Sequence, residues 1–242
     1  MNDKKNIAID LGNLISDNYL ESYNTVTFQK SEKFNRSDYI LTASGNKVCK
    51  DSILCGMKNI HMLGKSIIKN EAILRGDLST LYFGKYVIIG SKTLICPCFM
   101  HNNENSEINE NSKTNGNSKT NGNSKTNGNI YCDNTKINRS LYVTITIGDN
   151  VFIGNECIVK AAFIGNNVMI GNNCVIGERV IIKDNVIIKD NTFIPNDTTI
   201  ASFSKYSGYP GKFVKELPES VERILKDVSY FHYQNFIPNV TP

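Results

Sequence analysis

Three groups of side chains in this sequence are of types that do chemistry. Arg75-Gly76-Asp77 sets a guanidinium two residues from a carboxylate, Cys96-Pro97-Cys98 is the one close pair among seven cysteines, and His61, His101 and His232 are the three imidazoles. A catalytic zinc needs three protein ligands and an open fourth position. The thiol pair would need two further ligands, and metal-binding thiols are more often separated by two residues, so Cys96 and Cys98 read as structural thiols. The odd cysteine count and irregular spacing point to a reducing, cytosolic compartment. A single histidine suffices for general-base catalysis, but a lone histidine carries no specificity as a signal. His101 stands in a polar stretch suited to a loop, while His61 and His232 fall in more regular surroundings.

Any such residue would be positioned by a repeat that fills Ile147 to Ser204. An aliphatic residue returns every six positions at Ile147 and Ile153, then after one short step at Ile164, Ile170, Ile176, Ile182, Ile188, Ile194 and Ile200. Four residues after these come Val151, Cys157, Val168, Cys174, Val180, Val186, Thr192 and Thr198. Val151 and Ile153 are two apart, so on a strand they point to the same side. Each hexad is therefore a short strand followed by a sharp corner, and Gly and Asn tolerate the left-handed backbone that corners need. Three strands and three corners make a triangular coil, and each coil pairs edge to edge with the next. An amphipathic helix would need apolar spacings of three and four, not six and two. The expected fold is a single-stranded left-handed parallel β-helix with a C-terminal α-helix packed on one face; its hand follows from the habit of such coils and not from the period.

Residues 1–33 are expected to be a poorly ordered N-terminal extension with one apolar patch from Ile7 to Ile15. The β-helix spans 34–206. Its early part, Phe34 to Cys98, carries a weaker repeat in which Leu63-Gly64, Phe83-Gly84 and Ile89-Gly90 mark hexad starts. Ile67, Ile73, Val87 and Thr93 are the expected inward positions there. A low-complexity insert, 102–140, contains Asn-Ser-Lys-Thr-Asn-Gly three times between Asn111 and Gly128. With no aliphatic residue in those units it has nothing to bury, and disorder is expected. Residues 207–242 hold a turn at Tyr209-Pro210-Gly211 and a helix over Pro218 to Phe236. Its apolar side is Val221, Ile224, Leu225, Val228, Phe231 and Phe236, with Glu219 and Glu222 in the first turn.

The residue before each repeat isoleucine points outward and is apolar with unusual regularity. Positions 17 or 18 apart stack, so Phe152, Met169 and Ile187 form one column and Ile158, Val175 and Phe193 another. One terminal helix covers one face of a triangular coil. A second apolar face is a candidate protein interface. The net charge is +4 with signs mixed along the repeat, which argues against nucleic-acid binding. No apolar run approaches the ~20 residues of a membrane span, and no secretory h-region follows the polar Met1 to Lys5.

Hexapeptide β-helices host two familiar activities. Gamma-class carbonic anhydrases place Arg-Gly-Asp in an early coil, and Arg75-Gly76-Asp77 is similar. They also place two metal histidines five apart after a hexad glycine; here those positions are Asn155 and Lys160, which leaves His101 as the one candidate ligand. A lysine ammonium repels a cation, so this activity is read as lost and Arg75 with Asp77 as a structural or interface ion pair. Coenzyme A acyltransferases use a histidine in a loop leaving the helix, and His101 is the residue to weigh. An acyltransferase-like or degenerate gamma-class homotrimer is the second reading. No cofactor or metal is expected.

A more specific likeness lies outside the hexads. Phe34-Asn35-Arg36-Ser37-Asp38-Tyr39-Ile40, then Thr42-Ala43-Ser44-Gly45-Asn46-Lys47-Val48, resemble the start of the dynactin subunit 5 family. The likeness continues through Ser52 to Gly56, Ile73 to Leu78, Ile147 to Ile153, Cys174 to Gly177, Phe203 to Gly211 and Glu216 to Glu219. The extension before Phe34 and the Asn-rich insert depart from it. The resemblance implies a non-catalytic, cytoplasmic, cytoskeleton-associated subunit of dynactin, supporting dynein-based transport on microtubules. It also implies the partners: a dynactin subunit 6-like β-helix, the pointed-end actin-related protein, other dynactin subunits and dynein adaptors.

Overall fold

The computed structural model describes residues 32–100 and 142–239. The insert, His101 and nearly all of the N-terminal extension lie outside the described residues. Six coils stack into a parallel β-helix with three faces. Face I runs from Tyr39–Leu41 and Lys47–Cys49 through Ile67–Ile68, Ile88–Ile89, Phe152–Ile153, Met169–Ile170 and Ile187–Ile188 to Ser204–Ser207 and Lys212–Glu216. Face II holds Ile53–Cys55, Ile73–Arg75, Leu94–Ile95, Ile158–Val159, Val175–Ile176 and Phe193–Ile194. Face III holds Ile60–Gly64, Leu81–Lys85, Ile145–Ile147, Phe163–Ile164, Ile181–Ile182 and Thr199–Ile200. The first and last strands of face I pair antiparallel and close it at both ends.

The hexad period works as the spacing predicts. Ile164 pairs with Ile182, and Ile182 with Ile200, in one fully buried column. Val151, Cys157, Val168, Cys174, Val180 and Val186 share that interior. Burying each large aliphatic contributes roughly 1.5–3 kcal/mol, which is what drives short strands with no independent stability to stack.

Asn and Gly divide the work at the corners in a way the sequence does not announce. Asn150, Asn167, Asn173, Asn185 and Asn191 adopt left-handed backbone, with φ between 53° and 60°. Asn150 Nδ2 donates to Asn167 Oδ1 at 3.2 Å, and Asn167 Nδ2 to Asn185 Oδ1 at 3.1 Å, so this corner carries a side-chain ladder. The glycines after the isoleucines are not left-handed. They are small because the next coil passes against them: a Cβ on Gly154 would lie 2.6 Å from the Gly171 carbonyl. At the following corner position Asp149, Asn155, Asn166, Asn172 and, after Lys189, Asp190 each accept a backbone N–H from the coil before through Oδ1, at 2.7–2.9 Å.

Two expectations need correction. Ile67 and Ile73 point outward; the inward residues are Ile68 and Leu74, both fully buried. The cause is at Ile60–Gly64, where Met62 rather than Leu63 pairs with Phe83, so the hexad begins one residue earlier than Leu63-Gly64 suggests. The terminal helix, α1 (Val221–Asn235), starts after Glu219, and its seam is Val221, Leu225, Val228 and Ser229 with His232. Ile224 is half-buried and Phe231 is exposed beside Tyr230. Residues at four-and-three spacing from Val221 define that seam, and Phe231 sits about 100° off it.

Candidate interaction faces

Face I is covered. Phe152, Met169 and Ile187 pair in register, and the column extends back through Ile88 and Ile67. All five are buried in one cluster with Phe34, Leu217, Val221, Leu225 and Phe236. The far end of α1 is clamped by Lys47, whose Nζ donates to the carbonyls of Tyr233 and Phe236 at 2.8 and 2.7 Å and lies 4.0 Å from the Tyr233 ring. A lysine there offsets the negative end of the helix and satisfies two of its last carbonyl groups. Phe34 stacks on Phe236 with centroids 4.5 Å apart, and Lys33–Phe34 pairs in parallel with Ile237–Pro238. The family-like segment around Phe34 thus locks α1 in place and is not a coil of the repeat.

The same interface holds His232, whose ring lies 4.9 Å from Phe152. Its buried Nε2 has no hydrogen-bond partner among the described residues. Burial, helped by the charge of Lys69, pushes its pKa down to about 4, with Glu32 opposing. An unfolded histidine titrates near 6.5, so between about pH 6.5 and 4 the unfolded chain binds a proton that the folded chain refuses. This contribution to stability is complete above pH 6.5 and is lost as the pH falls toward 4, by up to about 3 kcal/mol. Comparing urea unfolding at pH 7 and pH 4.5 for the native chain and His232→Phe isolates it. The native chain is expected to lose more stability than the variant, and equal losses would refute the assignment.

Face II stays open. Ile53, Ile73, Leu94, Ile158, Val175 and Phe193 pair successively in register, forming an outward apolar column of six residues. At the strand spacing this column is about 24 Å long. Ile53 and Ile158 are exposed and the other four half-buried, with the Tyr209 ring 5.1 Å from Phe193 at one end. The sequence pattern shows the three later members; the first three hide because longer early corners stretch their spacing to 20 or 21 residues. Face III is mixed: its outward column runs His61, Tyr82, Thr146, Phe163, Ile181 and Thr199, so polar residues interrupt the apolar ones, and His61 stacks on Tyr82 at 5.0 Å.

The residues weighed for catalysis are occupied otherwise. Asn155 accepts the Ser91 amide at 2.8 Å, and Lys160 pairs with Glu178 at 3.2 Å; they flank the strand Ile158–Val159 at opposite ends. Arg75 makes a two-pronged bond to Asp77, at 2.8 and 2.9 Å, and its guanidinium holds the Asp77 carboxyl below the usual carboxylate range. Cys157 and Cys174 are fully buried in the interior column, and burial pushes the Cys96 thiol up.

This architecture defines the class: a hexapeptide-repeat parallel β-helix with one face sealed by its own terminal helix. A solved structure of the N-acyltransferase AntD from Bacillus cereus, in complex with dTDP and coenzyme A, shares the fold, with a TM-score of 0.50 at 13% identity over 75% of this chain and 86% of that one. A hexapeptide transferase family protein from Anaplasma phagocytophilum aligns at 17% identity and a TM-score of 0.45, over 78% of this chain and 89% of that one. Sequence likeness is far stronger elsewhere. Residues 30–108 and 123–241 match the family model for dynactin subunit 5. Dynactin subunit 5 of Dictyostelium discoideum is 42% identical over 207 residues, covering 85% of this chain and 87% of that one. The chain belongs to the dynactin subunit 5 family, and is a dynactin subunit homologue.

Proposed function

We propose that this chain is a non-catalytic scaffold subunit of the dynactin pointed-end complex. It supports dynein-based transport through adaptor and cargo engagement, in the cytoplasm and in association with the cytoskeleton. Its open face II takes a second β-helix subunit side by side. The single observation that carries the reading is the unbroken apolar column from Ile53 to Phe193, set opposite a face the chain covers for itself. Family membership supplies the context, and the engagement of Asn155 and Lys160 in structural contacts supports a non-catalytic role.

The test is Val175→Glu. Val175 is half-buried and outward, so the interior is untouched and the circular dichroism spectrum is expected to be unchanged. Each large apolar side chain removed from water contributes roughly 1.5–3 kcal/mol, so a carboxylate in mid-column is expected to weaken binding at least about tenfold. Capture of the purified second β-helix subunit is the readout. Equal capture by the variant would move the interface to another face, and a stable homotrimer with acyl transfer to an amine would replace the scaffold reading altogether.

A further inference from the structure

The two ends of the β-helix are finished differently. At the far end, Ile194 and Ile200 are 0% exposed, and Gly211 sits so close that a Cβ would lie 2.6 Å from Ile194 Cδ1 and 2.8 Å from Thr192 Cγ2. At the near end, Tyr39–Leu41 adds one more strand to face I alone. Ile53–Cys55 and Ile60–Gly64 are the terminal strands of faces II and III, each paired on one side only among the described residues. The outermost layer thus has a strand on one face and, among the described residues, none on the other two. Ile40 pairs with Val48, an interior residue, and cross-strand partners share a face, so Ile40 is directed over the same interior. It is nonetheless 53% exposed. Leu54, Ile60 and Met62, inward on the coil below, are only partly buried, and Met57 and Leu63 beside them are 69% and 66% exposed.

An open strand edge beside open apolar side chains is a template for an added strand, whose own apolar residues fall at every second position. Proteins that keep such an edge empty place charges on it. Here Ile60-His61-Met62-Leu63-Gly64 and Ile53-Leu54-Cys55 carry no lysine, arginine or carboxylate. The charges stand just beyond the strands. Lys58 and Lys65 flank Ile60–Gly64, Lys50 precedes Ile53–Cys55, and all three are exposed. From Asn35 to Lys65 there are five basic residues, Arg36, Lys47, Lys50, Lys58 and Lys65, against two acidic ones, Asp38 and Asp51, a net +3 in a chain whose net charge is +4. We propose that this end docks an extended acidic segment of a partner protein, which pairs with the edge of Ile60–Gly64, lays alternate apolar residues over Ile40, Ile60 and Met62, and sets a carboxylate at each end against Lys58 and Lys65. The strand is about 17 Å long, so a short apolar stretch with an acid beyond each end matches it. Opposite charges at the two ends fix the register of the added strand and reject a basic one. The site lies at the end of the stack and shares only Ile53 with the column of face II, so it goes beyond the reading of that face.

The probe is a capped synthetic peptide, Asp-Glu-Val-Thr-Val-Thr-Val-Glu-Asp, with Lys-Arg-Val-Thr-Val-Thr-Val-Arg-Lys as its charge-reversed control, each added to the full chain at millimolar concentration. The acidic peptide is expected to slow hydrogen exchange about tenfold at Ile60–Gly64 while leaving Thr199–Ile200, the edge of face III at the far end, unchanged. The basic peptide is expected to have no effect. Lys58→Glu combined with Lys65→Glu, both at exposed positions, is expected to keep the native circular dichroism spectrum, weaken the acidic peptide about tenfold and admit the basic one. Val175→Glu is expected to take the acidic peptide as the native chain does, which separates this site from face II. Equal effects of the two peptides, or none from either, would overturn the proposal, as would acidic binding that survives the charge reversal. Protection of these strands before any peptide is added would overturn it too. If that protection disappears on dilution with a halving of mass, the end belongs to a second copy, and otherwise to the chain itself.

Discussion

Gly154→Ala is expected to weaken the β-helix by about 3 kcal/mol or more, although it adds one methyl group and relieves a glycine of conformational freedom. The backbone at Gly154 is not left-handed, so an ordinary helix-style argument would predict a mild or stabilising change. The geometry says otherwise. The new Cβ would lie 2.6 Å from both the carbonyl carbon and the oxygen of Gly171, and 2.7 Å from the Asn172 nitrogen. These are backbone atoms, and no side chain can swing aside. Relief requires the two coils to part at this corner. That strains the bond from the Asn155 amide to Asn172 Oδ1, now 2.9 Å. It also strains the ladder bond from the Gly154 amide to the Ile170 carbonyl, at 2.9 Å. For a domain of this size the expected fall in melting temperature is about 6–12 °C. Asn155→Ala, which removes one accepted bond without adding volume, is the control and should cost about 1 kcal/mol. A melting temperature for Gly154→Ala within 2 °C of the native chain, on the order of the scatter between surface substitutions, would show that the coils are looser than described.

The period of six was legible because each hexad repeats one steric problem. Two inward apolar residues and a corner must recur wherever a coil recurs, so Ile164, Ile182 and Ile200 announce their own stacking. Phase was less legible where corners change length. Leu63-Gly64 looks like a hexad start, yet Met62 is the residue that pairs with Phe83, and Ile67 and Ile73 turn outward in consequence. The roles of Gly and Asn could not be separated from the sequence, because both tolerate left-handed backbone and only the neighbouring coil reveals which one is short of space. The outward columns were visible where spacing is a steady 17 or 18. Which of them α1 covers depends on contacts far apart in the chain: Lys47 with the carbonyls of Tyr233 and Phe236, and Phe34 with Phe236.

That assignment makes Met169→Glu the counterpart of Val175→Glu, with the opposite signature. Met169 is 4% exposed between Phe152 and Ile187, under the side chains of α1. A carboxylate confined there without a partner costs several kcal/mol. Two escapes are open to it. The coil could unfold, or α1 could lift and let water reach the charge. Ile170 next door points into the interior and is unaffected, so the coil keeps its own core. Lifting α1 exposes Val221, Leu225 and Phe236, about 5–9 kcal/mol of burial on the large-side-chain scale, less than dismantling six coils. The expected result is therefore local. Limited proteolysis cuts within Val221–Asn235 in the variant and not in the native chain, while the β-sheet signal in circular dichroism persists. The contacts of Lys47 with the helix end and of Tyr233 Oη with the Gly45 carbonyl, 2.7 Å in the native chain, are lost with it. Capture of a second β-helix subunit through face II is expected to continue, because Val175 and its column are on another side of the triangle. Val175→Glu reverses both readouts, keeping the helix protected and losing the partner. A Met169→Glu chain whose helix resists protease as well as the native one would mean that α1 is held by Lys47, Phe34 and the strand Ile237–Pro238 rather than by the apolar column beneath it.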